Sequence, residues 1–262
     1  MPRTSNPQSK IENPTSNAVA VIPARYDSVR FPGKMLADRT GKPLVQHVYE
    51  RATQAKLVNR VLIATDDDRV ARAVKAFGGE TVMTRRDHPN GTSRIAEVAA
   101  MLEAPIIVNV QGDEPEMEPQ NIDLAIQTLI KHSECPVATV ASPFDAGEDQ
   151  SNANVVKVVL DAAGRALYFS RAAIPHDRDR VGVNRLKHIG LYVYRREFLA
   201  QYVKLPPTPL EKAEQLEQLR ILENGFSIAV GIGQSRSQGI DTPEQYEAFV
   251  QRVSRKPSAV EI

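Results

Sequence analysis

Two short loops concentrate the residues able to do chemistry. The first is "ARYDSVRFPGK" (24–34), which carries Arg25, Arg30 and Lys34 around a Pro-Gly pair. The second is "VQGDEP" (110–115), where Gln111, Gly112 and Asp113 follow an apolar run. Guanidinium and ammonium groups suit a polyphosphate. A carboxylate just past a strand end suits Mg²⁺, a hard ion that takes oxygen ligands and often bridges to substrate phosphates. Gly112 permits close approach of backbone to ligand. A basic loop facing such an aspartate is what nucleotidyl transfer needs, because that chemistry is mostly positioning and charge stabilisation. Each feature also has a plainer reading: three basic residues on a solvated surface, and Asp113-Glu114-Pro115 as a simple turn. Their joint position after successive strands favours the chemical one.

Other nucleotide signatures are missing. No G-x-x-x-x-G-K-[ST] occurs, and no G-x-G-x-x-G follows the first strand, which argues against a Walker-type NTPase and a dinucleotide-dependent redox enzyme. Lys and Arg number 33 against 32 Asp and Glu, in a chain that is 42% hydrophobic. That balance gives no electrostatic case for nucleic acid or a membrane surface. No apolar run approaches the ~20 residues of a membrane span, so no membrane insertion is expected. Cys135 is the one cysteine; it excludes an intrachain disulfide and reads as a space-filler before a strand. Residues 1–17 are polar and read as a disordered tail rather than a signal peptide, which makes a cytoplasmic protein the default.

The elements that must position these loops follow from periodicity. "AVAVIP" (18–23), "RVLIAT" (60–65), "ETVM" (80–83), "APIIVNVQ" (104–111) and residues 136–141 read as strands. Helices are expected over 43–56, 66–77, 91–103 and 119–132. Strands alternating with helices predict an α/β fold, a mostly parallel open sheet with helices on both faces. Such a sheet binds ligands beyond the carboxyl ends of its strands, where both loops lie. After residue 150 the pattern turns β-rich. Residues 154–161 and 166–170 flank Ala163-Gly164 as a hairpin, and "KHIGLYVYR" (187–195) is a further strand. Helices are expected over 208–225, capped by Thr208, Pro209 and Glu211, and over 242–253, begun by Thr242 and Pro243. The expected organisation is one domain over 18–262, with 152–200 as a β-rich lid or dimerisation subregion.

The chain resembles the 3-deoxy-manno-octulosonate cytidylyltransferase (CMP-Kdo synthetase) family. The likeness runs from residue 18 through nearly the whole chain. Its motifs are "VIPARYDSVRFPGK" (21–34), "ATDDDRVARAV" (64–74), "MTRRDHPNGTSRIAEV" (83–98) and "IVNVQGDEP" (107–115). Further on come "NANVVKVVLDAAGRALYFSRAAIP" (152–175), "KHIGLYVYRREFL" (187–199), "PLEKAEQLEQLRIL" (209–222) and "GIDTPEQYE" (239–247). The opening motif is shared with other sugar nucleotidyltransferases; "NVQGDEP", "YFSRAAIP" and "LEQLR" together are specific to this family.

The resemblance implies a nucleotidyltransferase, Rossmann-like fold, CTP and Kdo as substrates, Mg²⁺ as cofactor, and a cytoplasmic homodimer serving lipopolysaccharide synthesis. It implies that Arg25 and Lys34 hold the CTP phosphates and act with Asp113 in catalysis. It implies that Arg94 and Gln111 face the nucleotide, and that Asp113 and Asp241 ligate the metal. It places Arg171, His188, Tyr192, Glu217 and Gln218 around the sugar. Each has a plainer alternative. Asp241 could be a helix-start residue, Arg94 a surface helix arginine, and His188 a satisfied structural histidine. Tyr192 could be core, and Glu217 and Gln218 a solvated helix face. The nearest rival acceptor is a sialic acid or another ulosonate, and a non-catalytic nucleotide-binding protein is the rival class. The chain departs from the family at Ser93, where an acidic residue is usual, at His176, where tryptophan is frequent, and in a short 177–188 stretch.

Overall fold

The computed structural model describes residues 17–28, 30–235 and 237–255. The tail expected over 1–17 lies, but for its last position, outside the described residues.

The elements run β1 (Ala18–Pro23), α1 (Leu44–Thr53), β2 (Val58–Thr65), α2 (Asp68–Ala76), β3 (Thr81–Met83), α3 (Gly91–Ala99), β4 (Ile106–Asn109) and α4 (Pro119–Lys131). There follow β5 (Val137–Pro143), β6 (Lys157–Leu160), β7 (Ala166–Ser170), β8 (Leu186–Arg195), α5 (Arg196–Tyr202), α6 (Pro209–Glu214), α7 (Leu219–Glu223), β9 (Ile228–Ile232) and α8 (Pro243–Arg255). The main sheet has the order β3-β2-β1-β4-β8-β5-β9. Only β8 runs antiparallel to its neighbours in that path. The β6–β7 hairpin extends from the end of β8.

β1 is apolar throughout because both its faces are covered. Ala18, Ala20 and Ile22 pack with Val45 and Val48 of α1 and Ile122 and Ile126 of α4. Val19 and Val21 pack on the opposite face with Ile95 and Val98 of α3 and Leu199 of α5. A third cluster joins Leu44 and Ile240 to Tyr246, Phe249 and Val250, and docks α8 beside the start of α1. Gln245 accepts hydrogen bonds from the backbone N–H of Asp241 and Thr242 at 2.7 and 3.0 Å, fixing the start of that helix.

Three features depart from the sequence reading. The strand β9 and the helix α5 did not announce themselves in it. The helix expected over 208–225 is broken in two. Gln215 takes a left-handed φ of 53° and caps α6, with the Leu216 N–H bonded to Glu211 O across the turn. A left-handed non-glycine residue costs about 1–2 kcal/mol. Burying Leu216 in the second core returns about 1.5–3 kcal/mol, so the break wins.

A buried ion pair staples the two halves. The Arg220 guanidinium donates to both Glu211 oxygens, Nε at 2.8 Å and Nη2 to Oε1. It also lies 5.3 Å from the Tyr202 ring centre. Removing one member of such a pair strands a buried charge. Glu211→Ala is therefore expected to lower unfolding free energy by about 3 kcal/mol, and Glu211→Leu with Arg220→Met to recover most of it. Urea titrations of the three proteins check this.

Candidate active site

The carboxyl ends of β1 and β4 open onto a cleft of about 380 Å³. Pro23, Arg25, Ser28 and Arg30 form one wall, and Gln111, Gly112 and Asp113 another. The two touch so closely that a Cβ on Gly112 would stand 2.6 Å from the Pro23 carbonyl oxygen. No side chain fits there, so Gly112 sets how near the basic loop comes to Asp113.

Lys34 begins a short 3-10 turn and is buried. Its Nζ donates to Asp113 Oδ2 at 2.8 Å, Ile240 O at 2.9 Å and Asp241 Oδ1 at 3.3 Å. Arg30 Nη2 reaches Asp241 Oδ2 at 2.9 Å. The structure thus brings Asp113 and Asp241 together from opposite ends of the chain. The position of Asp241 at a helix start is real as well; α8 is what delivers it. Arg25 is exposed and lines the same cleft, as do Gln111 and Arg94. Gln111 Nε2 lies 3.4 Å from Asn109 Oδ1.

Arg94 is almost wholly buried rather than on a helix surface. Its Nη2 pairs with Asp66 Oδ2 at 2.8 Å and its Nη1 donates to Thr84 Oγ1. Asp66 is the partner that sequence reasoning missed, although it stands in the "ATDDD" motif. Ser93 does not face Arg94: its N–H and Oγ both bond to Asn90, at 2.9 Å each. Glu114 was also missed. Its carboxyl is pushed up to about 7 by burial and then by the charge of Asp113.

The residues expected around the sugar do not line this cleft, and they divide. His188, Tyr192 and Glu217 belong to one buried layer on the α3 side of the sheet. The His188 ring lies 5.1 Å from Phe169 and 5.3 Å from Tyr192. Its Nε2 is 2.9 Å from Thr139 Oγ1, which itself lies 2.6 Å from Leu191 O. The single threonine proton goes to Leu191 O, so His188 Nε2 carries a hydrogen. Burial drives His188 down to about 3. The Glu217 carboxylate accepts from Thr92 Oγ1 at 3.1 Å, in the first turn of α3, and burial raises its pKa. Asn90 and Gly91, which precede Thr92, line the cleft, so Glu217 abuts its floor. Gln218 is buried where α7 starts. Arg171 stands apart: its Nε donates to Glu214 O at 2.7 Å and its Nη1 to Ala153 O at 3.1 Å. Cys135 is buried, its thiol pushed up to about 11 by desolvation, as suits packing rather than nucleophilic attack.

A family model described as cytidylyltransferase matches residues 19–228. The chain belongs to the cytidylyltransferase family. Within that family it is 53% identical, over 90% of its length and 97% of the relative's, to a 3-deoxy-manno-octulosonate cytidylyltransferase of Geobacter metallireducens. A protein of the same name from Geobacter sulfurreducens is 52% identical over 90% of this chain and 99% of its own. A solved CMP:2-keto-3-deoxy-manno-octonic acid synthetase in complex with CTP superposes with a TM-score of 0.86 at 45% identity, covering 90% of this chain and 98% of that one. No helix among the described residues is long and apolar enough to cross a membrane.

The neutral, buried His188 gives a pH prediction. The unfolded chain takes up a proton at this residue near pH 6.5, and the folded one only near pH 3. This contribution to stability is therefore complete above pH 6.5 and is lost on acidification through that window, by up to about 1.4 kcal/mol per pH unit. His188→Asn should flatten the fall of the unfolding midpoint between pH 6.5 and 4, measured by calorimetry across pH.

Proposed function

We propose that this protein transfers a cytidylyl group from CTP to Kdo, giving CMP-Kdo and pyrophosphate, as the first use of the sugar in lipopolysaccharide assembly. One observation carries the reading: Lys34 grips two aspartates from distant segments at the wall of a cleft rich in arginine. The anomeric oxygen of Kdo bonds to the α-phosphorus as the bond to the β-phosphate oxygen breaks and pyrophosphate leaves. Arg25, Arg30 and Lys34 bind the triphosphate and stabilise the charge that grows on the leaving group. Gln111 and the Arg94–Asp66 pair orient the nucleoside. Glu217, beside the cleft floor, and the layer of Tyr192 and His188 behind it shape the sugar side, with Gln218 and Arg171 supporting the α6–α7 turn.

Asp113 and Asp241 fit Mg²⁺, since both offer hard carboxylate oxygens that converge on one cation already, the Lys34 ammonium. When bound there, Mg²⁺ supplies neutralisation of the phosphate oxygens near the scissile bond. We read residues 18–262 as one catalytic unit, with 152–200 as a lid or dimerisation region of a cytoplasmic homodimer. Light scattering tests the dimer.

The deciding experiment is pyrophosphate release from CTP and Mg²⁺, with Kdo or a sialic acid as acceptor. Release with Kdo alone is expected; release with the sialic acid alone would keep the chemistry and overturn the substrate, and silence with both would favour a non-catalytic nucleotide-binding protein. Asp113→Asn should lower turnover at least about 100-fold while circular dichroism shows the fold intact. Lys34→Ala should also reduce turnover and weaken CTP binding, as read by steady-state kinetics. Chelation of divalent ions should silence the wild type and Mg²⁺ should restore it.

A further inference from the structure

Asp113 leaves a strand end, but Asp241 lies in a segment without regular structure between β9 and α8. Ile240, just before it, is buried in the third core cluster, but Ser237, Gln238 and Gly239 have little packing behind them. Behind it opens a second cleft of about 340 Å³, lined by Asp145, Glu148, Lys187, Ser237 and Gln238. Gln238 and Gly239 are exposed, and a Cβ on Gly239 would meet nothing within 4 Å. Hydrogen bonds therefore hold the 237–239 stretch, while Ile240 is held by the core.

Those bonds run to the loop of Asp113. Ser237 Oγ donates to Glu114 Oε2 at 3.0 Å, and Ile240 N–H donates to Asp113 O at 2.8 Å. Glu114 is seated by the sheet itself. β8 carries a bulge, since Thr139 pairs with Tyr192 and Val140 with Ile189, leaving Gly190 and Leu191 unmatched. A Cβ on Gly190 would stand 3.2 Å from Glu114 Oε1. Gly190 thus leaves room for the carboxyl, while Thr139 holds the bulge through Leu191 O. The chain devotes a bulge, a glycine and a serine to one carboxylate that has no place in the phosphate contacts.

We propose that Glu114 and Ser237 are a positioning pair that sets the separation of Asp113 and Asp241 for their divalent cation. This rests on the reading of those aspartates as its ligands. The pair works by a hydrogen bond: the carboxylate accepts, the serine hydroxyl donates, and Asp241 is drawn across the cleft towards Asp113. Without it, the Asp241 carboxylate is held only by Lys34 and Arg30, both of which the substrate phosphates would compete for. Partners that orient ligands in this way are worth about 10–100-fold in metal affinity.

The test is Mn²⁺ binding to the full chain without nucleotide, read from the electron paramagnetic resonance of the free ion, with unfolding midpoints measured alongside. Ser237→Ala and Glu114→Ala should each weaken Mn²⁺ binding about tenfold while the midpoint moves only a few degrees. Glu114→Gln keeps an acceptor oxygen for Ser237 and should bind nearly as the wild type. Asp241→Asn serves as the control for the ligands. Loss in Asp241→Asn with wild-type affinity in Ser237→Ala would overturn the positioning pair and leave the cation site standing. Equal loss in Glu114→Gln and Glu114→Ala would also overturn it, since charge rather than the hydrogen bond would then matter. Unchanged affinity in Asp241→Asn, or no binding by the wild type, would overturn the cation reading and the pair with it.

Discussion

An ammonium ion held between two carboxylates organises this molecule. Lys34 belongs to the loop after β1, Asp113 to the loop after β4, and Asp241 to the segment before α8. Two unit charges of like sign about 4 Å apart repel by about 4 kcal/mol at an effective dielectric of 20. A cation must therefore sit between the aspartates before they can share a wall. Lys34 supplies it, and its third bond to Ile240 O ties the carboxyl-terminal segment to the opening loop. The small third core of Leu44, Ile240, Tyr246 and Phe249 then follows, because α8 can only dock once Ile240 is placed.

Two chemical environments meet at the start of α3. Towards the cleft, arginines and lysine meet aspartates in partial contact with solvent, where charge can move onto an incoming phosphate. Towards α3 and α5, aromatic rings run in a continuous stack from His188 through Tyr192 and Tyr194 to Tyr202. Burial there holds His188 neutral and raises the tyrosine hydroxyls well above their ordinary range. Glu217 touches both environments: Tyr202 donates to its backbone oxygen at 2.8 Å, and Thr92 at the cleft floor donates to its carboxylate. The broken α6–α7 helix has its use here, since the turn at Gln215 directs Leu216 inward and leaves Glu217 facing α3.

Legibility in the sequence followed the strength of local patterning. β1, β4 and the second half of β2 were readable because strands covered on both faces are nearly continuous apolar runs. The loops after β1 and β4 were readable because arginine, lysine and aspartate next to glycine seldom gather at a strand end without cause. β9 was not, since Ile228–Ile232 is five residues long, includes Gly231, and gains its identity from parallel pairing with β5 more than eighty positions earlier. The break at Gln215 was hidden for a similar reason. Capping residues and helical spacing are local, whereas the attraction of Leu216 to the second core is not.

From the sequence alone came the fold class, the carboxyl-edge location of the chemistry, and the candidates Arg25, Lys34, Arg94, Gln111, Asp113 and Asp241 for it. Arg25, Lys34 and Asp113 depend on residue type and near neighbours; Arg94, Gln111 and Asp241 rest on the family motifs, which also supply the roles. Tertiary structure decided which candidates meet. It put Asp241 against Asp113, gave Arg94 to Asp66, buried His188 beside Thr139, and parted Arg171 from the cleft. Those outcomes turn on desolvation and on charges facing one another across the cleft, and a linear chain carries no distance between residues 113 and 241 until the fold supplies one.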